Sequence, residues 1–153
     1  MEPLLLAKAF KYLGFEGAKG AIMHGAVYVD QEGFYLFHEK HTWESANTAT
    51  AAFGLLGALI HHFCTRNKTV DYPFVTTEVG SLPGELFDRF NLRKMKDSAL
   101  LSIVPRADVG ELNKTFTGGA SITVGSIQIV PISPKGKVWK QLPELGYGSE
   151  DGL

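Results

Sequence analysis

The histidines and the single cysteine are the residues of this chain best suited to metal binding or nucleophilic catalysis. His38 and His41 lie three apart in the polar stretch HEKHTWESAN, and His61, His62 and Cys64 end an apolar run. Two histidines three apart in an extended connector do not share a face, and the HExxH pattern is absent. We therefore expect solvated loop histidines, a helix-end histidine pair and a core cysteine, with no metal and no cofactor.

Basic side chains form a second candidate for chemistry. The stretch FDRFNLRKMK interleaves positive charges with phenylalanine and methionine. Such a pattern suits contact with anionic lipid or phosphate, and its alternative is a solvated face. The residues that would make the contact are Arg89, Arg93, Lys94 and Lys96. No glycine-rich phosphate loop and no paired carboxylates occur, and we predict that the protein is not an enzyme.

These residues must be positioned around one uncharged stretch, Asn47 to Phe63, which reads NTATAAFGLLGALIHHF. Its alanines and leucines favour a helix, and Gly54 and Gly57 suit close approach to another backbone. Three roles stay open: a core helix, a helix for self-association or partner binding, and a membrane-inserted segment, although the stretch is short for spanning. The expected contact residues are Phe53, Gly54, Leu56, Gly57, Ile60 and Phe63.

Composition and charge limit the function classes. The 153 residues suit one domain, which we place at 1–145 with a flexible tail at 146–153. Fifteen basic and sixteen acidic residues give a net charge of −1, which argues against nucleic acid as the main partner. A single cysteine favours a reducing compartment, and the start MEPLLLAKAF does not resemble a signal peptide. We therefore expect a cytoplasmic protein, with a peripheral membrane contact as the alternative.

The remaining pattern predicts an α+β fold. Pro3 to Phe15 reads as an N-terminal helix, and Ala26 to Phe37 as a hairpin in which Gly33 supplies a positive φ. Further elements are a strand at 69–79, a short helix at 85–91 capped by Ser81, and strands at 98–104, 120–124 and 127–132. The last two are joined by the two-residue turn Gly125-Ser126. Together they predict a curved antiparallel sheet or partly open β-barrel, with the N-terminal helix and an inserted apolar helix at about 47–63.

The stretch GAVYVDQEGFYLF resembles the opening hairpin of pleckstrin-homology-like domains of the GRAM and bacterial type. SALLSIVPRADVGEL resembles a later strand of such domains, and SITVG with SIQIV would continue the second sheet. The resemblance implies a binding or scaffold module without enzymatic activity. It does not identify a ligand.

Two functional hypotheses follow from the sequence. The first is a non-enzymatic binding or scaffold domain that contacts an unknown protein, a second copy of itself or an anionic membrane surface. The second is a small-ligand-binding or hydrolytic domain whose pocket lies between the central helix and the sheet. A deep pocket ringed by His61, His62 and Cys64 would favour the second hypothesis, and a solid apolar core there would exclude it.

Overall fold

The computed structural model describes residues 2–15, 22–39, 72–90, 92, 95–114 and 119–148. These residues form eight strands: β1 (Leu4–Leu13), β2 (Ile22–Val29), β3 (Gly33–His38), β4 (Thr77–Glu78), β5 (Leu100–Pro105), β6 (Leu112–Lys114), β7 (Ala120–Val124) and β8 (Ile127–Pro131). Two short α-helices accompany them, α1 (Gly84–Phe90) and α2 (Gly136–Trp139). Within the described ranges, 3-10 helices span Val79–Ser81, Arg106–Asp108 and Pro143–Leu145. Among the described residues, no helix is long and apolar enough to cross a membrane.

All eight strands belong to one antiparallel sheet, in the order β4-β5-β3-β2-β1-β8-β7-β6. The predicted antiparallel sheet is therefore confirmed, and the sheet is not closed into a barrel. Its edge strands are short, since β4 has two residues and β6 has three. Short edges limit pairing with strands of other molecules. The predicted central helix at 47–63 lies outside the described residues, between β3 and β4.

The predicted N-terminal helix is wrong, because Leu4–Leu13 forms the central strand β1. Its register with β2 shifts between Leu5 and Ala7 and again between Ala7 and Ala9. These bulges interrupt the period-2 alternation that marks a strand. The buried residues become Leu6, Ala7, Phe10 and Tyr12. Phe10 follows Leu6 by four residues and Ala7 by three, and these spacings imitate an amphipathic helix.

The hairpin of β2 and β3 is confirmed, and it divides the sheet into two packed faces. Val27, Val29 and Leu36 join the larger core on what we call the inner face. Tyr35 and Phe37 alternate with them and pack on the outer face, beneath α1 and the segments that flank it. Because both faces of this hairpin are covered, its strands carry bulky side chains on alternate residues in both directions.

The relation between β1 and β5 across the inner face is consistent with a curved sheet. β1 and β5 are three strand spacings apart, about 14 Å in a flat sheet, yet Tyr12 of β1 and Ser102 of β5 influence each other. Gly25 permits part of this shape: an added Cβ would lie 1.9 Å from the carbonyl oxygen of Phe37. Gly33 likewise faces the Val104 carbonyl at 2.3 Å, so close approach explains this glycine and not the positive φ predicted for it.

The C-terminal segment closes one end of the inner face. Trp139, Leu142, Leu145 and Tyr147 are all buried in the larger core. The Tyr147 ring packs on Phe34 at the start of β3, with ring centroids 4.9 Å apart. The chain thus packs against the sheet beyond residue 145, where the sequence placed the start of a flexible tail.

The other predicted elements agree with the structure to different degrees. α1 and the two-residue turn between β7 and β8 agree with their predictions. Ser81 does not cap α1, since its hydroxyl donates to the Glu78 carbonyl. Within the predicted strand at 69–79, only Thr77 and Glu78 of the described residues pair with a neighbour. Pro73 explains the interruption, because proline cannot donate to a strand ladder.

Candidate functional site

Two polar clusters are buried in this fold, and the first is built around Asp30 at the β2–β3 turn. Its side chain is almost fully buried and accepts from the backbone N–H groups of Glu32 and Gly33, at 2.8 and 3.2 Å. Tyr35 Oη donates to the same carboxylate at 3.1 Å, and Arg89 Nη2 of α1 approaches it at 2.5 Å. Every side of the carboxylate is therefore occupied by a donor.

The Asp30 cluster, defined as Asp30, Tyr35, Arg89 and Tyr147, connects three parts of the chain. Tyr147 Oη donates to the Asp30 backbone carbonyl at 2.6 Å and so ties the C-terminal segment to the hairpin. The Arg89 guanidinium also lies 5.8 Å from the centre of the Tyr35 ring. Burial, and after it the Asp30 charge, raises the pKa of Tyr35 to about 12, so Tyr35 stays a neutral donor. The saturated bonding indicates a structural clamp.

The second cluster lies at the other end of the inner face and is not saturated. Tyr12 is 1% exposed and Ser102 is 0% exposed. Within the part of the chain that the structure describes, neither hydroxyl has a hydrogen-bond partner. Burial raises the pKa of Tyr12, the Ser102 hydroxyl acts in the opposite direction, and Tyr72 raises it further. The effect of Ser102 on the Tyr12 pKa is that of a hydrogen-bonding side chain, so the two hydroxyls lie close together, although their geometry is not that of an ordinary hydrogen bond.

Aromatic rings pack against Tyr12 and against the neighbouring His38. Phe10 packs edge-on against Tyr12, with centroids 5.5 Å apart, and against His38 at 5.7 Å. Phe74 contacts Tyr12 at 5.8 Å, and Tyr72 contacts His38 at 4.8 Å. We call Tyr12, His38 and Ser102, with the rings of Phe10, Tyr72 and Phe74, the Tyr12 cluster. Its residues come from three strands and from the segment that precedes β4.

His38 has a defined tautomer in this cluster. Its Nδ1 lies 2.9 Å from the backbone carbonyl oxygen of Glu39. A carbonyl oxygen only accepts, so this contact requires a proton on Nδ1. His38 is 1% exposed at the end of β3. The prediction of a solvated loop histidine is therefore wrong, because the strand continues one residue further and turns the ring inward.

The position of the Tyr12 cluster follows from the strand alternation. Leu36 pairs with Ser102 across β3 and β5, and His38 lies two residues beyond Leu36 on the same face. Phe34 and His38 are four residues apart, which separates them by about 14 Å along an extended strand. The C-terminal segment thus fills the Phe34 end, while the Tyr12 cluster occupies the His38 end. Tyr72 and Phe74 are only partly buried and form its rim toward solvent.

The structure assigns different surroundings to the predicted basic contact residues. Arg89 is committed to Asp30, and Lys96 Nζ lies 3.7 Å from the exposed Glu39 carboxylate. Arg93 and Lys94 lie outside the described residues, so contact of this cluster with lipid or phosphate stays a prediction. The predicted contact residues Phe53, Gly54, Leu56, Gly57, Ile60 and Phe63 also lie outside the described residues.

The predicted histidine and cysteine set is only partly described. Of His38, His41, His61, His62 and Cys64, the structure describes His38. Within the described ranges, no three histidine, cysteine, aspartate or glutamate side chains are grouped in a way that could hold a metal ion.

Sequence reasoning missed Tyr12, Ser102 and Tyr147 as members of polar clusters. Tyr12 was assigned to a helix, and Ser102 to a buried strand in which a serine has no special meaning. A usable signal does exist for Ser102, because a hydroxyl in the apolar run ALLSIV needs a partner if the strand is buried.

No family model, curated protein or solved structure matches this chain.

Proposed function

We propose that this protein is a non-enzymatic binding domain for a small apolar ligand held at the Tyr12 cluster. The observation that carries the proposal is the pair of buried hydroxyls, Tyr12 and Ser102, without partners among the described residues. Leaving such a group unpaired in a folded protein costs about 1–3 kcal/mol. A bound molecule that accepts hydrogen bonds from them offsets this cost.

The surroundings support a ligand of this kind. The rings of Phe10, Phe74 and Tyr72 provide the apolar and aromatic wall that is typical of small-molecule sites. A few polar atoms within such a wall fix orientation. The partly buried Tyr72 and Phe74 place the site one ring from solvent, in a segment without regular secondary structure.

The resemblance to pleckstrin-homology-like domains agrees with this proposal at the level of function class. It implies a binding module, and the antiparallel sheet is compatible with it. The alternatives of contact with a protein or a membrane have weaker support here, since Arg89 already pairs with Asp30. We therefore place the activity at the inner face of the sheet.

A fluorescence titration with 1-aminoanthracene, a neutral apolar probe, tests the proposal. We expect saturable 1:1 binding to the wild-type chain and a loss of at least about tenfold in affinity for Ser102→Leu, whose side chain fills the site. The matched control is Ser121→Leu, at a half-buried serine on the outer face of β7, which should bind as the wild type does.

Thermal melts monitored by circular dichroism show whether each variant is folded. If Ser102→Leu does not fold, amide chemical shifts of the wild-type chain replace it, and the probe should perturb residues around Tyr12 and Phe74. Absence of saturable binding, or equal binding by a folded Ser102→Leu, would overturn the proposal.

A further inference from the structure

The two unpaired hydroxyls also define the chemical class of the ligand, an inference that rests on the proposed function. Both Tyr12 and Ser102 carry an O–H group that can donate. The Tyr12 phenol keeps its proton, because burial raises its pKa above the ordinary value of 10.0. The site therefore presents two donors toward the same region of the inner face.

The charge that a ligand can carry follows from the side chains that lie near these two donors. Apart from burial, the groups that influence Tyr12 are the neutral Ser102 hydroxyl and the Tyr72 phenol. Tyr12 packs against the rings of Phe10 and Phe74, and none of its interactions in the described part of the chain involves a lysine, arginine, aspartate or glutamate. Burial of an anion without a cationic partner is strongly unfavourable, and burial of a cation without an anionic one is equally so.

The apolar side chains of the site determine which kind of ligand body can pack there. Phe10 and Phe74 flank Tyr12 with their ring edges, at interplanar angles of 77° and 64°. Edge-to-face packing of this kind accommodates a flat ring or a branched aliphatic group. Neither wall residue offers a hydrogen bond, so polar groups of the ligand that face these two rings would be left unpaired.

We infer that the ligand is an uncharged, mainly apolar molecule with one carbonyl-type oxygen, which accepts hydrogen bonds from the hydroxyls of Tyr12 and Ser102. A ketone, aldehyde, ester or amide attached to an aromatic or branched aliphatic body satisfies these conditions. A carboxylate does not, because it brings a charge that the site does not neutralise.

Three probes of nearly equal shape test this inference: acetophenone, isopropylbenzene and benzoate. Acetophenone carries a neutral carbonyl oxygen as the acceptor. Isopropylbenzene has a methyl group in place of that oxygen, and benzoate has a charged carboxylate in place of the acetyl group. Affinities are measured by amide chemical-shift titration of the full chain and of the variants Tyr12→Phe, Ser102→Ala and their combination. Each hydrogen bond lost should weaken acetophenone binding by about five- to tenfold.

The expected result is that acetophenone binds and benzoate does not. The double variant should lose at least about tenfold in affinity for acetophenone, while its affinity for isopropylbenzene stays within about twofold of the wild-type value. Tyr147→Phe removes a phenol hydroxyl from the Asp30 cluster and is the matched control that should leave all three affinities unchanged.

The outcomes separate the inference from the proposed function. If acetophenone and isopropylbenzene both bind and the double variant weakens neither, the ligand class is wrong and the binding function stands. Tight binding of benzoate also overturns the ligand class. If none of the three probes and no 1-aminoanthracene bind, the proposed function fails together with the inference.

Discussion

The same substitution, tyrosine to phenylalanine, should have opposite effects on stability at the two ends of the inner face. Tyr147 and Tyr12 are equally buried, each 1% exposed, and both belong to the larger core. Tyr147 Oη donates to the Asp30 carbonyl at 2.6 Å, whereas Tyr12 Oη has no partner among the described residues. The two sites therefore differ in hydrogen bonding and not in burial.

The magnitudes follow from that difference. Tyr147→Phe removes one hydrogen bond and leaves a buried carbonyl unpaired, which should lower the free energy of unfolding by about 1–2 kcal/mol. Tyr12→Phe removes a hydroxyl that is already unpaired in the ligand-free chain, which should raise the free energy of unfolding by about 1 kcal/mol. For a chain of this length, the difference between the two variants corresponds to a Tm difference of roughly 4–12 °C.

Urea unfolding of the ligand-free chain, followed by circular dichroism, measures both changes. The slope of the unfolding free energy with urea should be the same in all three proteins, so that the midpoints can be compared directly. If Tyr12→Phe destabilises the chain as much as Tyr147→Phe does, the Tyr12 hydroxyl has a partner within the protein. The reasoning behind the candidate site would then be refuted.

Three further predictions concern the clamp, the sheet and pH. Arg89→Ala should lower the free energy of unfolding by about 1.5–3 kcal/mol and Asp30→Ala by about 3–5 kcal/mol. The double variant should lose less than the sum of these two values, because the two side chains bind each other. Urea unfolding of all three variants measures this coupling, and strictly additive losses would contradict it. Gly25→Ala should lower the free energy of unfolding by more than about 2 kcal/mol, because the added Cβ would lie 1.9 Å from a carbonyl oxygen. Gly84→Ala should raise it by up to about 1 kcal/mol, because nothing lies within 4 Å of the added Cβ. Equal shifts of the melting temperature in the two variants would contradict this. Because the pKa of Tyr35 rises to about 12 on folding, the unfolded chain loses its proton first, and stability should fall between pH 10 and 12. Urea titrations across that range should show a weaker fall for Tyr35→Phe, and an unchanged fall would contradict the assignment.

Local patterns identified the parts of the fold that alternate regularly. The hairpin of β2 and β3 was predictable because Val27 and Val29 alternate strictly with residues of the other face. The turn at Gly125-Ser126 was predictable from its length and its glycine, which has a φ of 63°. In both cases the decisive information lies within a few residues of the element itself.

Other features depend on contacts that no local pattern carries. β1 was assigned to a helix because Pro3 suits a first helical turn and Gly14 suits a helix end, and pairing with two neighbouring strands overrides that local pattern. Gly33 was expected to provide a positive φ, yet the approach of Val104 from β5 explains it.

The candidate site was the least predictable feature. Tyr12 and Ser102 are 90 residues apart in sequence and meet across the inner face of the sheet. Neither belongs to a recognised motif, and each hydroxyl is chemically ordinary in isolation. What distinguishes them is burial without a partner among the described residues, a property of the folded chain.

A crystal structure of the protein with acetophenone tests the central claim most directly. The account predicts the carbonyl oxygen of acetophenone within about 3.2 Å of both Tyr12 Oη and Ser102 Oγ, with its ring against Phe10 and Phe74. It is contradicted if the two hydroxyls are bonded to each other or to another group of the protein and acetophenone is absent from the inner face.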